Sequence, residues 1–212
     1  MEKFVITIGR QYGSGGREVG KKLAEKLGVK YYDKELIALS AENTGLEKEY
    51  IEEYDEKPVS KISSMFAYGA NTTGYYMPVY NVPIINDRLF YAQMDVIRGL
   101  AEKEACVIVG RCADYILRDI PNVFSVFLHA NLADRIKRLT EEYQVESKNI
   151  ERYIAKYDKK RSMYYYNYTD KEWGKCDSYD MSFNTSKFSV DQIVEMIISV
   201  LKVKGSKPAK KE

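Results

Sequence analysis

The chain has 212 residues, of which 45% are hydrophobic and 30% charged, and its formal net charge is +2. This length and composition are typical of a globular domain with a sizeable core, and the near-neutral charge argues against bulk electrostatic binding of nucleic acid. No apolar run reaches the length of a membrane span. The first residues lack a signal-peptide pattern and the three cysteines lack metal-ligand spacing, which predicts a cytoplasmic protein with reduced thiols.

The first predicted element is a buried strand over residues 4–8, a short run rich in β-branched residues. It leads into a glycine-rich turn, GRQYGSGGRE, which runs from Gly9 to Glu18. The next helix is predicted from apolar residues spaced by four: Val19, Leu23 and Leu27. Gly28 is placed to end this helix, and a second strand is predicted over residues 29–33.

Further along the chain the same alternation of helix and strand recurs. Apolar residues from Phe90 to Ala101 predict a helix that leads into a central strand over residues 106–110, CVIVG. The next strand is predicted over residues 123–130. A helix capped by Asn131 is then predicted from one apolar face: Leu132, Ile136, Leu139 and Tyr143.

The last strand is predicted over residues 180–184, and Ser189 and Gln192 form a capping box at the start of a closing helix. Strands that alternate with helices predict an α/β fold with a parallel sheet covered on both faces. Ligands of such folds bind at the carboxyl ends of the strands. Because the glycine-rich turn, Asp33 and Arg111 all follow predicted strands, we expect them to share one site.

Two regions interrupt the alternation within a single domain predicted over residues 1–202. Residues 56–86 are predicted as a long excursion beside the substrate, and residues 145–179 as a basic and aromatic region that could act as a lid. Residues 203–212 are predicted as a flexible basic tail.

The glycine-rich turn has the features of a phosphate-binding loop before a helix, whose free N–H groups and partial positive charge attract anions. Its tight backbone is permitted by three glycines: Gly13, Gly15 and Gly16. The lysine and hydroxyl residue of the usual loop are replaced by Gly16 and Arg17, so Arg10 and Arg17 are the candidate cations, with Ser14 nearby. From the loop alone, a tight turn without a ligand is the alternative.

Three segments together resemble the cytidylate kinase-like family of P-loop proteins: ITIGRQYGSGGREVGKKLAEKLGVKYYDKELI, VIVGRCADYIL and YDMSFNTSKFSVDQIVEMI. The resemblance implies a P-loop nucleoside-kinase-like three-layer sandwich, with a five-stranded parallel sheet and a helical lid. It also implies transfer of a phosphoryl group from a nucleoside triphosphate to a nucleoside monophosphate or another small acceptor, with Mg²⁺ and ATP as cofactors.

The same resemblance assigns roles to particular residues. Gly13, Ser14 and Gly15 match the phosphate loop of cytidylate kinases, whereas Gly16 and Arg17 depart from its lysine and serine and Arg10 stands at its first glycine. The predicted nucleotide and phosphate site comprises all six residues. Asp33 matches the acid beside the acceptor, and Arg111 matches the arginine of a Gly-Arg-Asp motif that holds the acceptor phosphate. The acid of that motif is Cys112 here, with Asp114 two residues later as a further acceptor-side candidate. This departure leaves the preference for cytosine open.

The residues themselves leave two roles open. Arg111 is either a phosphate fork or the ion-pair partner of an acid such as Asp114. Asp33 either orients magnesium-bound water, accepts from a sugar hydroxyl or caps the helix that follows it.

The predicted lid region carries a basic helical stripe: Arg152, Lys156, Lys159 and Lys160. Most of this stripe is interpreted as a solvated face. Lys160 and Arg161, with Arg17, are the catalytic candidates, because the first two adjoin an aromatic cluster. The cluster, interpreted mainly as packing, contains Tyr164, Tyr165, Tyr166, Tyr168 and Trp173.

The sequence therefore favours a kinase that binds small nucleotides, with no membrane contact and no nucleic acid expected, and a homo-oligomer is compatible with it. The second hypothesis is a nucleotide-binding or regulatory protein that has lost transfer activity, because the usual lysine and hydroxyl are missing. A third is a single-stranded RNA binder that uses the tyrosines, which the low net charge disfavours.

Overall fold

A computed structural model of the chain describes residues 3–33 and 81–205. Its centre is a five-stranded sheet in which every pairing is parallel, with the strand order β2-β3-β1-β4-β5. The strands are β1 Val5–Arg10, β2 Lys30–Tyr32, β3 Cys106–Val109, β4 Val123–His129 and β5 Met181–Asn184. The predicted parallel sheet and the approximate positions of all five strands are confirmed.

Six helices of the described residues connect and flank these strands. They are α1 Gly16–Leu27, α2 Asn81–Lys103, α3 Ala113–Ile116, α4 Leu132–Lys137, α5 Ile150–Thr169 and α6 Val190–Gly205. The first helix ends at Gly28, whose left-handed φ of 65° and backbone N–H close the last turn as predicted. The capping box also forms: the Ser189 N–H donates to Gln192, and the Gln192 N–H donates to the Ser189 hydroxyl.

The sheet separates two apolar layers, because side chains alternate between its faces along each strand. On one face, Ile6 and Ile8 of β1 pack in a cluster with Leu23 of α1 and Ile193 of α6. On the other face, Val5 belongs to a cluster built from α2, α3 and α5: Phe90, Ile97, Ile116, Leu117, Tyr164 and Tyr165. Helices therefore cover both faces, which confirms the three-layer sandwich.

Two predicted boundaries need correction. The helix α2 begins at Asn81, inside the range 56–86 that the sequence predicted as an excursion, and residues 56–80 lie outside the described part of the chain. The helix α6 continues to Gly205, so the predicted tail begins later than residue 203. In both places a helix extends beyond the apolar pattern that predicted it. Of the residues that the structure describes, no helix is both long and apolar enough to cross a membrane.

The helix after β4 also differs from its prediction. Leu132 and Tyr143 were expected to face inward, yet they are 45% and 38% exposed. The α-helical part ends at Lys137 and continues as a π-helical turn, Arg138–Glu142, which rotates the later residues relative to the earlier ones. Asn131 occupies the cap position without a capping hydrogen bond from its side chain.

Candidate functional site

The carboxyl ends of three neighbouring strands meet at one edge of the sheet. The loop between β1 and α1 follows the central strand, Asp33 follows β2, and Gly110 and Arg111 follow β3. The sheet order places β3 between β2 and β1, so these segments are brought together as predicted.

The loop after β1 forms a tight turn that leads into the start of α1. Gly13 and Gly15 have φ angles of 76° and 78°, in the left-handed region that glycine adopts without strain. The Ser14 hydroxyl donates to the Gln11 carbonyl at 2.8 Å and is buried, so it stabilises the loop itself. Helix α1 begins at Gly16 without a side-chain cap, which leaves its first N–H groups oriented as an anion cradle.

Arg17 forms an ion pair with the acid after β2. Its Nε donates to Asp33 Oδ2 at 2.7 Å, and the two side chains are 50% and 5% exposed, respectively. Burial acts to lower the pKa of Arg17, but the charge of Asp33 and the hydrogen bond outweigh it and raise that pKa. Asp33 thus holds Arg17 beside the loop, whereas the helix it was predicted to cap lies outside the described residues.

Arg10 reaches the same acid from the end of β1. Its Nη2 lies 3.7 Å from Asp33 Oδ1, and its side chain is buried. Two glycines lie against the Arg10 side chain: Gly16 beside its aliphatic stem and Gly110 beside its guanidinium group. The carboxylate of Asp33 is therefore shared by two arginines, one buried and one at the surface.

The chain adopts an unusual backbone where β3 ends. Gly110, Arg111 and Cys112 have consecutive φ angles of 79°, 58° and 54°, and the latter two residues are buried. Left-handed backbone is unfavourable for residues with a Cβ atom, and such strain tends to persist at functional sites. The turn places Arg111 in the wall of a cleft, which is consistent with its predicted place.

The cleft lies between this turn and helix α5. Its walls include Arg10, Arg111, Asp114, Arg161, Tyr165 and Trp173. The Tyr165 hydroxyl donates to Asp114 Oδ2 at 2.7 Å. Burial raises the pKa of Asp114 to about 6, although the hydrogen bond from Tyr165 acts in the opposite direction. A cleft with several arginines and a carboxyl that protonates readily suits an anionic ligand.

Three residues that the sequence did not single out hold the loop in place. Arg135 of α4 donates through Nε to the Tyr12 carbonyl at 2.7 Å and forms an ion pair with Asp158 of α5. Asp158 in turn accepts from the Tyr12 N–H at 2.8 Å. Arg138 donates to the Gly13 carbonyl at 2.9 Å. The sequence feature that could have revealed this role is the pair of arginines three residues apart in the helix after β4.

Helix α5 contributes Arg161, which contacts the loop directly. Its Nη1 donates to the Arg10 carbonyl at 3.2 Å, and its guanidinium carbon lies 5.4 Å from the centre of the Tyr12 ring. Lys160 is half-buried, with its ammonium group 5.5 Å from the ring of Tyr157, which stacks on Tyr12. The rest of the basic stripe is exposed, as the solvated-face interpretation predicted: Arg152, Lys156 and Lys159.

The side chains of the aromatic cluster pack between the cleft and the sheet. Tyr164 and Tyr165 are buried, Tyr168 stacks on Phe90 with a centroid distance of 3.9 Å, and Tyr166 is half-exposed. These contacts agree with packing as the main role of the cluster, and Tyr164, Tyr165 and Trp173 also line the cleft.

The described residues contain no group of three or more acidic, histidine or cysteine side chains placed to hold a metal ion. Asp33, which was predicted to contact the metal through water, is engaged by Arg17, and the Ser14 hydroxyl is used within the loop. This donor set fits a magnesium ion that arrives on the phosphates of a nucleotide, since Mg²⁺ needs few protein ligands when phosphate oxygens and water complete its shell.

The strand order, the glycine loop before α1 and the arginines at the strand ends define a P-loop kinase fold. The model of the cytidylate kinase-like family matches residues 5–187, and the chain belongs to that family. A cytidylate kinase from Methanosarcina barkeri (strain Fusaro / DSM 804) is 25% identical over 194 residues, which cover 91% of this chain and 93% of the relative.

Solved structures show the same architecture. A crystal structure of an uncharacterized protein from Eubacterium ventriosum ATCC 27560 has a TM-score of 0.67 and 29% identity, and the match covers 94% of this chain and 99% of that one. Shikimate kinase from Acinetobacter baumannii, in complex with shikimate, has a TM-score of 0.53 and 14% identity, with 97% of both chains covered. The latter likeness is one of fold alone.

Proposed function

We propose that this protein transfers a phosphoryl group from a nucleoside triphosphate to a nucleoside monophosphate. The observation that carries the proposal is the position of Arg10, which lines the cleft together with Arg111 and shares the Asp33 carboxylate with Arg17 of the adjoining anion cradle. Membership of the cytidylate kinase-like family and the cytidylate kinase relative support a cytidylate-like acceptor. In this proposal, residues 1–202 act as a single domain.

The donor and the acceptor occupy opposite sides of Arg10. The triphosphate of the donor lies across residues 13–17, where the N–H groups of the loop and the start of α1 bind its phosphate oxygens. The acceptor phosphate lies in the cleft beside Arg111, whose planar fork suits two phosphate oxygens. Asp33 and Asp114 flank this acceptor position.

Transfer then proceeds by direct displacement. An oxygen of the acceptor phosphate forms a bond to the γ-phosphorus while the bond from that phosphorus to the β,γ-bridging oxygen breaks, which yields two nucleoside diphosphates. Little covalent help is needed from the protein, because alignment and charge neutralisation dominate such reactions. Arg17 and Arg161 neutralise charge near the loop, and Lys160 adds to this from α5. A magnesium ion carried by the donor nucleotide would add charge neutralisation at the phosphates, held mainly by phosphate oxygens and water.

The test is a coupled assay for diphosphate formation with ATP and each nucleoside monophosphate in turn. We expect turnover with at least one acceptor, and cytidine monophosphate to be among the best. Arg161→Ala should reduce turnover, whereas Arg152→Ala should not, because Arg152 lies on the same helix but is exposed. Absence of turnover with every acceptor would overturn the kinase proposal.

A second candidate function, a nucleotide-binding protein without transfer activity, is favoured by one specific observation. The Ser14 hydroxyl is committed to the Gln11 carbonyl and the Asp33 carboxylate to Arg17, so neither usual magnesium contact is supplied by these groups. Calorimetric binding of ATP without turnover in the same assay would favour this alternative. The cytoplasmic location and a homo-oligomer remain predictions.

A further inference from the structure

The position of Arg10 is explained by its relation to Gly16. In the usual phosphate loop, G-x-x-x-x-G-K-[ST], the first residue is glycine and the seventh is lysine. Counted on this chain, the first position is Arg10 and the seventh is Gly16. The glycine and the cation have therefore exchanged places within the loop.

The geometry shows why the two residues must change together. A Cβ atom placed on Gly16 would lie 2.7 Å from the Arg10 Cβ and 2.8 Å from its Cγ. These atoms form the base of the arginine side chain, which cannot swing away without moving the end of β1. Residue 16 therefore cannot carry a side chain while the Arg10 side chain keeps its present conformation.

The exchange moves the positive charge toward the acceptor cleft. The Arg10 guanidinium group lies against Gly110, where an added Cβ would be 2.9 Å from its Cζ, and the group shares the cleft wall with Arg111. A lysine at position 16 would instead start from the first turn of α1, on the donor side. Arg10 stands at the boundary between the loop and the cleft.

We propose that Arg10 is the phosphate-loop cation of this protein and that it binds the donor and the acceptor phosphates together. This inference rests on the proposed function. The sequence made Arg17 the catalytic candidate, but the Arg17 side chain is half-exposed whereas that of Arg10 is buried, although both contact Asp33. Arg10 is the buried cation between the two phosphate positions.

The first experiment measures calorimetric affinities for ATP and for cytidine monophosphate. Arg10→Met keeps a stem and removes the charge, so we expect both affinities to fall by about 10–100-fold, the scale of a hydrogen bond to a charged group. Arg17→Met should weaken ATP binding less and leave monophosphate binding within about threefold, and Arg152→Met is the exposed control. A purely structural Arg10 would lower thermal stability and leave both affinities of the folded variant unchanged, which would overturn the proposal.

The second experiment restores the usual order of the loop. Gly16→Lys alone should bind ATP at least tenfold more weakly than wild type or fail to fold, because the lysine stem collides with Arg10. The double variant Arg10→Gly/Gly16→Lys should recover ATP binding to within about tenfold of wild type, while its monophosphate affinity stays low. A double variant that binds ATP no better than Gly16→Lys would contradict the exchange.

A ligand-free measurement separates this inference from the proposed function. Gly16→Ala should lower the Tm by about 2–10 °C in the wild-type background and leave it unchanged or raise it when Arg10 is Gly. Equal losses in both backgrounds would refute the mutual exclusion of the two side chains. Wild-type protein that binds neither nucleotide, with the stability coupling intact, would instead refute the proposed function and the phosphate role of Arg10 with it.

Discussion

At the scale of single residues, Arg111 offers a direct test of the proposed acceptor site. It is buried, has a left-handed backbone and lines the cleft on the proposed acceptor side. Arg111→Ala should reduce affinity for the monophosphate by about 1.5–3 kcal/mol, the scale of a hydrogen bond to a charged group, and change affinity for the triphosphate far less. Calorimetric titration of each nucleotide measures both.

Arg118→Ala is the matched control for this substitution, because Arg118 is exposed and rests on the ring of Tyr115. Its nucleotide affinities should equal those of the wild type. An unchanged monophosphate affinity in Arg111→Ala would remove Arg111 from the acceptor site.

Asp114 makes the stability of the protein depend on pH. Burial raises its pKa from 3.8 to about 6, so between these values the folded protein holds a proton that the unfolded chain has released. The free energy of unfolding should therefore fall as the pH rises from about 4 to 6. The Asp114→Asn variant lacks this titration. Its free energy of unfolding, relative to that of the wild type, should therefore rise by about 1–3 kcal/mol between about pH 4 and 6.

Urea unfolding at several pH values measures this difference. Asp119→Asn serves as the control, because Asp119 is exposed and should follow the wild-type pH profile. Parallel profiles of wild type and Asp114→Asn between pH 4 and 6 would show that Asp114 does not titrate in this way.

The sequence identified the arginines of the candidate site, but it could not show which of them are buried. Arg111 was predicted from its place after a strand and a motif, and it does lie at the cleft. Arg17 was a catalytic candidate, whereas Arg10 was predicted only as a residue of the phosphate site. Which arginine is buried depends on the glycines at positions 16 and 110, and their proximity to Arg10 is a tertiary property.

At the scale of elements, the phosphate loop is held by two helices that follow it in the chain by more than a hundred residues. Asp158 of α5 accepts from the Tyr12 N–H and pairs with Arg135 of α4. Asp158→Ala should lower the free energy of unfolding by about 2–4 kcal/mol, because it leaves a buried arginine without its carboxylate. Urea unfolding measures the loss.

Two further variants test the cause of this loss. Glu151→Ala changes an exposed acid on the same helix and should cost less than about 0.5 kcal/mol. In an Arg135→Met background, Asp158→Ala should lower the free energy of unfolding much less than it does in the wild type. The reason is that the effects of substitutions at two contacting residues are not additive. Additive losses would mean that the two residues stabilise the fold independently.

The elements themselves were predictable where a strong period or cap was present. Apolar runs gave all five strands, and Gly28 and the Ser189 box gave two helix ends. The face predicted for the helix after β4 is only partly inward: Leu139 is fully buried, whereas Leu132 and Tyr143 are exposed. A π-helical turn over Arg138–Glu142 breaks the 3.6-residue period before Tyr143. The same turn presents Arg138 to the loop.

At the scale of the whole molecule, the candidate site lies at one end of the sheet, above a core that extends across both faces. We expect amide exchange to be slowest in β1, β3 and β4, whose central residues are fully buried. Added ATP should slow exchange most in residues 11–17, which form the proposed donor site, and in the middle of α5, where Asp158 and Arg161 contact the loop and the end of β1.

Exchange measured by mass spectrometry, with and without ATP, tests this map. The helix α6 is the internal reference, because it lies on the layer opposite to α5 and pairs with α1 only beyond its first turn, through Lys22 and Lys26, so it should not respond. Equal protection of residues 11–17 with and without saturating ATP would contradict the proposed donor position.

Trp173 gives the molecule a built-in optical reporter. It is the single tryptophan of the chain, it lines the cleft, and its ring meets Phe127 edge-on at a centroid distance of 5.3 Å. Indole emission shifts in colour and intensity with the polarity around the ring. When it is excited at wavelengths that tyrosine does not absorb, the tryptophan fluorescence of this protein comes from one known position beside the proposed acceptor. Occupancy of the cleft can therefore be followed in real time on unlabelled protein, with no coupling enzyme and no turnover.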